Sequence, residues 1–499
     1  MSLAMTYCRA QYGTDAPLVT VETHLSNGLP AFNIVGLAQT AVKESKDRVR
    51  SALINSHFEF PQRRITINLA PAELPKQGGR YDLAIAIGIL VASNQVPGEL
   101  LDGLEFLGEL SLNGDVRPVR AALPSAVSCH SDGRALIIPS DNQQEASFNV
   151  ACVIHSARHL LEVCAHLNGA RALATVDYVP PPLPKYTHDF QYVQGQTIAK
   201  RALCIAASGR HHVLMAGSPG SGKTLLAHCL PSILPPMSIR DAIDTASILS
   251  LDSQHTEFTL QRPFCSPHHS ASSVALVGGG SPPRPGEISR AHNGVLFLDE
   301  MPEFSRHVLE TLREPLESGY IVINRAAHKM RFNSRVMLVG AMNLCRCGFY
   351  RTSTPCRCSP DQIERYQNKL SGPLLDRIDI QLFIQPVSLT ALNSATTDTP
   401  MSSAELQANV IRAHQTQLTR QGKSNSDLEQ EEIKQHCMLS KDDHDWFINT
   451  LDTLSVSMRG YYRMLKVARS IADFDQVEHI NRQHVQEALQ FRVSLKSRQ

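Results

Sequence analysis

The octapeptide Gly217-Ser218-Pro219-Gly220-Ser221-Gly222-Lys223-Thr224 fits the pattern G-x-x-x-x-G-K-[ST] at every position, and no other stretch constrains the fold of this chain as strongly. Such a loop belongs between a buried strand and a helix. The apolar run Val213-Leu214-Met215 before it predicts the strand, and Leu225-Leu226-Ala227 after it predicts the helix. Glycines let the backbone wrap a phosphate with its N–H groups turned inward, and the helix N-terminus adds partial positive charge. Lys223 is placed to reach the β- and γ-phosphates and the Thr224 hydroxyl to hold Mg²⁺. A plain Gly-rich turn is the alternative, and the spacing of further parts decides between the two.

Val295-Leu296-Phe297-Leu298-Asp299-Glu300 is an apolar strand ending in two acids, 75 residues beyond Thr224. A carboxylate there can hold Mg²⁺ and the next can polarise an attacking water, although a solvated strand end looks the same in isolation. A third apolar run, Val336 to Ala341, ends in Met342-Asn343, where an Asn can bond the γ-phosphate or the lytic water; a turn is its plainer role. In Leu374-Leu375-Asp376-Arg377-Ile378-Asp379 the arginine is flanked by acids, so a surface ion pair is its plainer reading.

At 499 residues the chain exceeds one small domain. Residues 1–175 read as a mixed α/β block, with a strand at Ile65–Leu69, an apolar run at Leu83–Val91 whose length allows a buried helix or a strand and whose alanines favour helix, and a hairpin turn at Asn113-Gly114. Residues 176–190 hold four prolines among six positions, Val179 to Pro184, and form a stiff linker. Residues 191–386 carry the P-loop core, 387–403 a polar connector, and 404–499 a helical region with Tyr462, Leu465, Val467 and Ile471 on its apolar face. No apolar run reaches membrane-spanning length. Met1 to Thr6 lack a basic region followed by an apolar core, so no signal peptide is expected, and the twelve cysteines are read as reduced thiols or metal ligands in a cytoplasmic protein. Net charge is +1, so contact with nucleic acid must come from local basic surface.

The Walker A and B segments, Asn343 and the Leu374–Asp379 run, in this order, resemble AAA+ ATPases of the branch that contains the magnesium-chelatase ATPase subunit and MCM helicases. The segments Asn33–Leu37, Val42–Ser45, Asn68–Ala72, Ser266–Ser272 and Pro285–Ser289 are similar to the magnesium chelatase-like family of bacterial ComM and YifB, and the likeness extends over essentially the whole chain. The resemblance implies an N-terminal Lon-protease-like domain of the ribosomal S5 domain 2 type, an AAA+ core with a parallel sheet, and a helical lid. It implies that Arg377 is an arginine finger for a neighbouring subunit in a homo-hexamer, that Arg459 is the sensor 2 arginine, and that Val193 and Gln196 lie near adenine. It further implies ATP-driven DNA translocation and branch migration in natural transformation and homologous recombination, with recombination proteins as partners. A magnesium-chelatase-type motor remodelling a protein, an ATP-dependent protease and a non-enzymatic scaffold are the alternatives.

Around Arg325-Ala326-Ala327-His328-Lys329 two strand-like runs suggest a hairpin, which in the resembling ATPases projects into the ring channel. From Ile321 to Arg335 there are four Lys/Arg and no Asp/Glu, so Arg325, His328, Lys329 and Arg331 are expected to face DNA phosphates, unless the hairpin is simply a solvated charged face. The Gly/Pro-rich segment Val277–Pro285 is expected to be a second projecting loop with Arg284 as its charge. Cys345, Cys347, Cys356 and Cys358 fall within 14 positions and suggest a structural zinc site in a Cys-rich insert at 345–358, against free thiols. In the Lon-like block Arg80 takes the position of the peptidase serine, and Gly114 to Arg120 contains no lysine, so peptidase chemistry is not expected. Lys43, Lys46, Arg48, Arg50, Arg63 and Arg64 are candidates for extending a DNA channel, with a solvated basic helix as an equal reading.

Overall fold

The computed structural model describes residues 2–36, 42, 44–148, 152–182, 184–252, 258–280, 283–325, 328–352, 354–386, 401–454 and 456–492. Lys43, Ser281-Pro282, Ala326-Ala327 and most of the 387–403 connector lie outside these.

Alternating apolar residues in the N-terminal block build seven strands: β1 (Ser2–Arg9), β2 (Leu18–Ser26), β3 (Ala31–Val35), β4 (Arg64–Ala70), β5 (Leu104–Phe106), β6 (Ala135–Pro139) and β7 (Ile154–Ala157). Their order is β3-β4-β2-β1-β5-β6-β7. β2 is antiparallel to both β1 and β4, whereas β5, β6 and β7 continue from β1 in parallel. Helix α1 (Asp82–Ala92) is apolar on all sides and buried along almost its whole length, as an all-round hydrophobic helix must be.

The central unit is a five-stranded sheet of β8 (Val213–Gly217), β9 (Phe264–Cys265), β10 (Val295–Leu298), β13 (Met337–Met342) and β14 (Ile380–Ile384), ordered β9-β10-β13-β8-β14 and parallel throughout. Strands β11 (Tyr320–Arg325) and β12 (His328–Asn333) form a separate antiparallel hairpin between β10 and β13. α2 (Thr197–Gly209) precedes β8, α3 (Lys223–Cys229) follows it, and α4 (Arg313–Ser318) leads into the hairpin. Parallel strands need crossover connections, so the loops after β8, β10 and β13 all emerge at the same edge, where open α/β sheets bind ligands.

The C-terminal helices gather around α5 (Met458–Phe474), whose buried Met464, Leu465, Val467, Ala468 and Ile471 join one core with α2 and the sheet. Arg201 of α2 forks onto Asp475 and Glu487, and Arg463 of α5 meets Asp379 at 2.6 Å. Contacts between the N-terminal domain and the ATPase unit include a hydrogen bond and an apolar cluster. The Tyr12 hydroxyl donates to the Lys329 carbonyl at 3.0 Å, and Leu123, Phe148, Met237, Ala246 and Phe258 form a small shared cluster. Among the described residues no helix is long and apolar enough to cross a membrane.

Candidate nucleotide site and basic hairpin

The P-loop leaves β8 at Gly217 and enters α3 at Lys223. Gly220 and Gly222 carry φ of +75° and +90°, values that only glycine adopts without strain and that keep the loop wrapped. The Lys223 ammonium donates to the Gly217 and Ser218 carbonyls at 2.9 and 2.8 Å and to Asn343 Oδ1 at 3.3 Å. Burial lowers its pKa from the ordinary lysine value. Thr224 Oγ1 donates to Asp299 Oδ2 at 2.8 Å, so the hydroxyl and the carboxylate sit side by side, as oxygen ligands of a hard divalent cation would. The three segments singled out by spacing thus meet at the ends of β8, β10 and β13. Gln196 joins them, its amide donating to the Ser221 carbonyl at 3.3 Å and the Gln385 carbonyl at 2.7 Å. Val193 is buried beside it, and its carbonyl accepts from Lys200.

Glu300 has φ of +47° and its amide donates to Asp299 Oδ1. That left-handed backbone is a strained choice for glutamate, and the Glu300 carboxylate lies 3.6 Å from His269 Nδ1. Sequence reading assigned no role to His269; only its place in the Ser266–Ser272 segment marked it.

Arg377 and Arg459 lie elsewhere. Arg377 stands just before β14, and β14 runs in register with β8 from Val213↔Ile380 to Gly217↔Ile384. Arg377 is therefore at the edge where the strands begin, roughly 13 Å or more of strand away from the P-loop edge. It is buried, donates to the Pro373 carbonyl, and pairs with Glu317 of α4 at 2.7 Å. Arg459 of α5 takes the other Glu317 oxygen at 2.8 Å. Burial alone would raise the Glu317 pKa, but Arg377, then Arg459 and Arg463, outweigh it and hold it below the usual value. Glu317, which collects both arginines, carried no sequence signal.

The hairpin forms as expected, with Asn324↔Lys329 and Arg325↔His328 in register. Lys329 and Arg325 are exposed, and Arg331 lies 3.8 Å over the Tyr320 ring. The second insert folds as a short ribbon, Gly278-Gly279 against Arg284-Pro285, and its glycines pack onto Ile323 and Arg325 of the hairpin. The two inserts therefore form one structure with Arg284 exposed on it.

The four insert cysteines converge. Sγ–Sγ distances are 3.4 Å for Cys345–Cys347, 3.5 Å for Cys347–Cys356 and 3.7 Å for Cys345–Cys356, and all four sulfurs lie within 4.8 Å of one another. Tetrahedral zinc with Zn–S near 2.3 Å places sulfurs about 3.8 Å apart, so the set fits a tetrathiolate. Backbone amides of Phe349 and Arg357 pull the Cys347 thiol down to about 6, whereas burial pushes Cys345 up to about 12. Seven of the other eight cysteines are buried and Cys265 is half-buried.

In the N-terminal domain Arg80 is buried and donates to Ser125 at 3.0 Å. Arg48 is not a free cation, because it pairs with the fully buried Asp82 at 2.7 Å. Lys46, Arg50 and Arg63 line one small surface cavity with Phe32 and Phe60.

Families described as magnesium chelatase subunit ChlI match residues 21–142, 189–392 and, for its C-terminal region, 400–492. The chain is 48% identical over 497 residues to the protein called uncharacterized protein YifB of Salmonella typhimurium, covering 99% of this chain and 97% of that one. It is 47% identical over 503 residues to competence protein ComM of Haemophilus influenzae, covering 99% and 98%. The chain belongs to the ComM/YifB family of magnesium chelatase-like AAA+ proteins. Identity to the magnesium-chelatase 38 kDa subunit of Cereibacter sphaeroides is 25% over 173 residues, 31% of this chain and 52% of that one. Family membership accounts for the P-loop geometry, which is that of an ATPase, and links the chain to a relative named for competence.

Proposed function

We propose that this chain is an ATP-driven DNA translocase that assembles as a closed hexameric ring in the cytoplasm and moves DNA branch points during natural transformation and recombination. The observation that carries the reading is the union, in one ATPase unit, of a complete P-loop site with a hairpin bearing Arg325, Lys329 and Arg331 and no acid. Six copies around a channel give a positive collar suited to phosphates.

ATP with Mg²⁺ supplies the phosphoryl group whose transfer to water drives the motion. Thr224 and Asp299 hold the cation, Lys223 neutralises the β/γ oxygens, Asn343 positions the γ-phosphate, and Glu300 orients the lytic water. Arg377 lies across the sheet from its own P-loop and Arg459 shares Glu317 with it, which supports the reading that both leave Glu317 to serve the neighbour's nucleotide. This makes the site a property of the ring and puts sensor 2 in trans alongside the finger. Zinc is the proposed occupant of the four cysteines. Arg80, hydrogen-bonded to Ser125 and lacking nucleophilic chemistry, supports a non-proteolytic N-terminal domain.

Replacing Lys329 and Arg331 together by Ala tests the DNA reading. DNA affinity and DNA-stimulated ATPase are expected to fall about tenfold or more at moderate salt, with nucleotide binding retained. Unchanged DNA affinity would favour a motor that acts on a protein instead.

A further inference from the structure

We propose that the four-cysteine knuckle is a metal-dependent brace that sets the phosphate loop and Asn343 in their working positions; this deepens the zinc assignment above and rests on it.

The covalent chain supplies the first link. β13 ends at Met342, Asn343 follows, and Cys345 lies two residues further on. The residue that touches Lys223 is thereby tied to the first sulfur by a single intervening residue, Leu344, whose carbonyl is itself held by the Gln367 amide at 2.9 Å.

Packing supplies the second. Cys345 to Gly348 close a turn in which the Gly348 amide donates to the Cys345 carbonyl at 3.0 Å and the Tyr350 amide points at the Cys345 sulfur at 3.3 Å. Gly348 has φ of +86°, and a Cβ built there would stand 2.5 Å from Cγ and 2.6 Å from Cδ of Pro219, and 3.9 Å from Cγ of Asn343. The knuckle backbone at Gly348 therefore lies directly against the third residue of the P-loop, with Asn343 close by. No other residue type fits between them without moving the loop.

Leu344 is anchored in the core and to Gln367, and Cys345 is buried, but the turn beyond them has no regular structure of its own. Residues 343–352 and 354–359 contain neither helix nor strand, and Cys347, Cys356 and Cys358 are only half-buried. A bound metal is what replaces the missing core in such segments. With the thiolates joined, the turn is rigid and Pro219 has a fixed wall. With them released, the turn relaxes, Pro219 loses that wall, and the N–H groups of the loop no longer converge on one phosphate position. Misplacement of this kind is costly because a phosphate cradle depends on preorganised donors.

The test uses the purified full-length protein and reads two quantities, zinc per chain by atomic emission and affinity for a fluorescent ADP without magnesium. The wild type is expected to hold one zinc per chain. Stripping it with a zinc-selective chelator should weaken ADP binding roughly tenfold or more, and zinc alone, added back, should restore it. Gly348→Ala keeps all four sulfurs, so it should retain zinc and yet weaken ADP binding. Gly133→Ala, at φ +70° with no atom within 4 Å of the new Cβ, carries similar backbone strain without a wedge and should leave affinity unchanged. A wild type without zinc overturns the metal assignment and the brace together. Zinc that is present, but whose removal leaves ADP affinity unaltered, overturns the brace alone, as does unaltered affinity in Gly348→Ala.

Discussion

At the scale of single residues Lys223 and Arg377 stand at opposite edges of one sheet, and in the proposed ring they act on different nucleotides. Lys223→Ala is expected to lower ATP turnover by roughly 10²-fold or more, and Arg377→Ala by about 10³-fold with nucleotide binding retained. Mixing the two inactive proteins should restore part of the activity, since an Arg377→Ala subunit keeps a sound P-loop and a Lys223→Ala subunit offers its arginine to it. Steady-state ATPase across mixing ratios checks this; a mixture as inactive as its components would place both groups in one subunit. The P-loop residues, Asp299 and Asn343 were legible in the sequence because phosphate chemistry fixes residue type and local spacing together. Glu317 and His269 were not, because each acts through a contact made across the fold between residues whose own surroundings look ordinary.

Among the elements, α5 and β14 meet through Arg463 and Asp379, and this contact joins the lid to the sheet. Burial would raise the Asp379 pKa, but Arg463 and then His211 hold it well below the carboxylate range. A depressed carboxylate contributes its full stability above the pKa of the unfolded chain, near 4, and loses it progressively as pH falls from there through its own lower pKa in the fold. Asp379→Asn should therefore cost about 3 kcal/mol at neutral pH by leaving Arg463 without its charge partner, and should weaken the acid-side loss of stability. Urea unfolding at pH 7 and at about pH 2.5, inside the window of loss, measures both. The hairpin makes a second point at this scale. Its strands were readable from apolar alternation, yet its contact with the N-terminal domain, through Tyr12 and the Lys329 carbonyl, was not, because a hydrogen bond across 317 residues leaves no local pattern. Helix α1 was legible by contrast, since an unbroken apolar run with alanines has only burial available to it.

In the proposed ring each chain carries half of an ATP site at either edge, so an isolated copy should be nearly inert. Specific ATPase activity per chain is expected to rise with protein concentration, in step with ring formation followed by mass photometry. Constant specific activity across the dissociation range would contradict the shared site. The proline-rich and polar connectors were readable in the sequence because they interrupt apolar periodicity. How the domains dock, and which basic residues remain free, was not: Arg48 reads as a surface cation in sequence and proves to be spent on Asp82. The central claim, that ATP hydrolysis moves DNA branches, is tested most directly by strand exchange on synthetic three- and four-way junctions. Wild-type protein with ATP should displace the branch and release exchanged strands, and Lys223→Ala should not. ATPase-active protein that leaves the junctions unchanged would contradict the account.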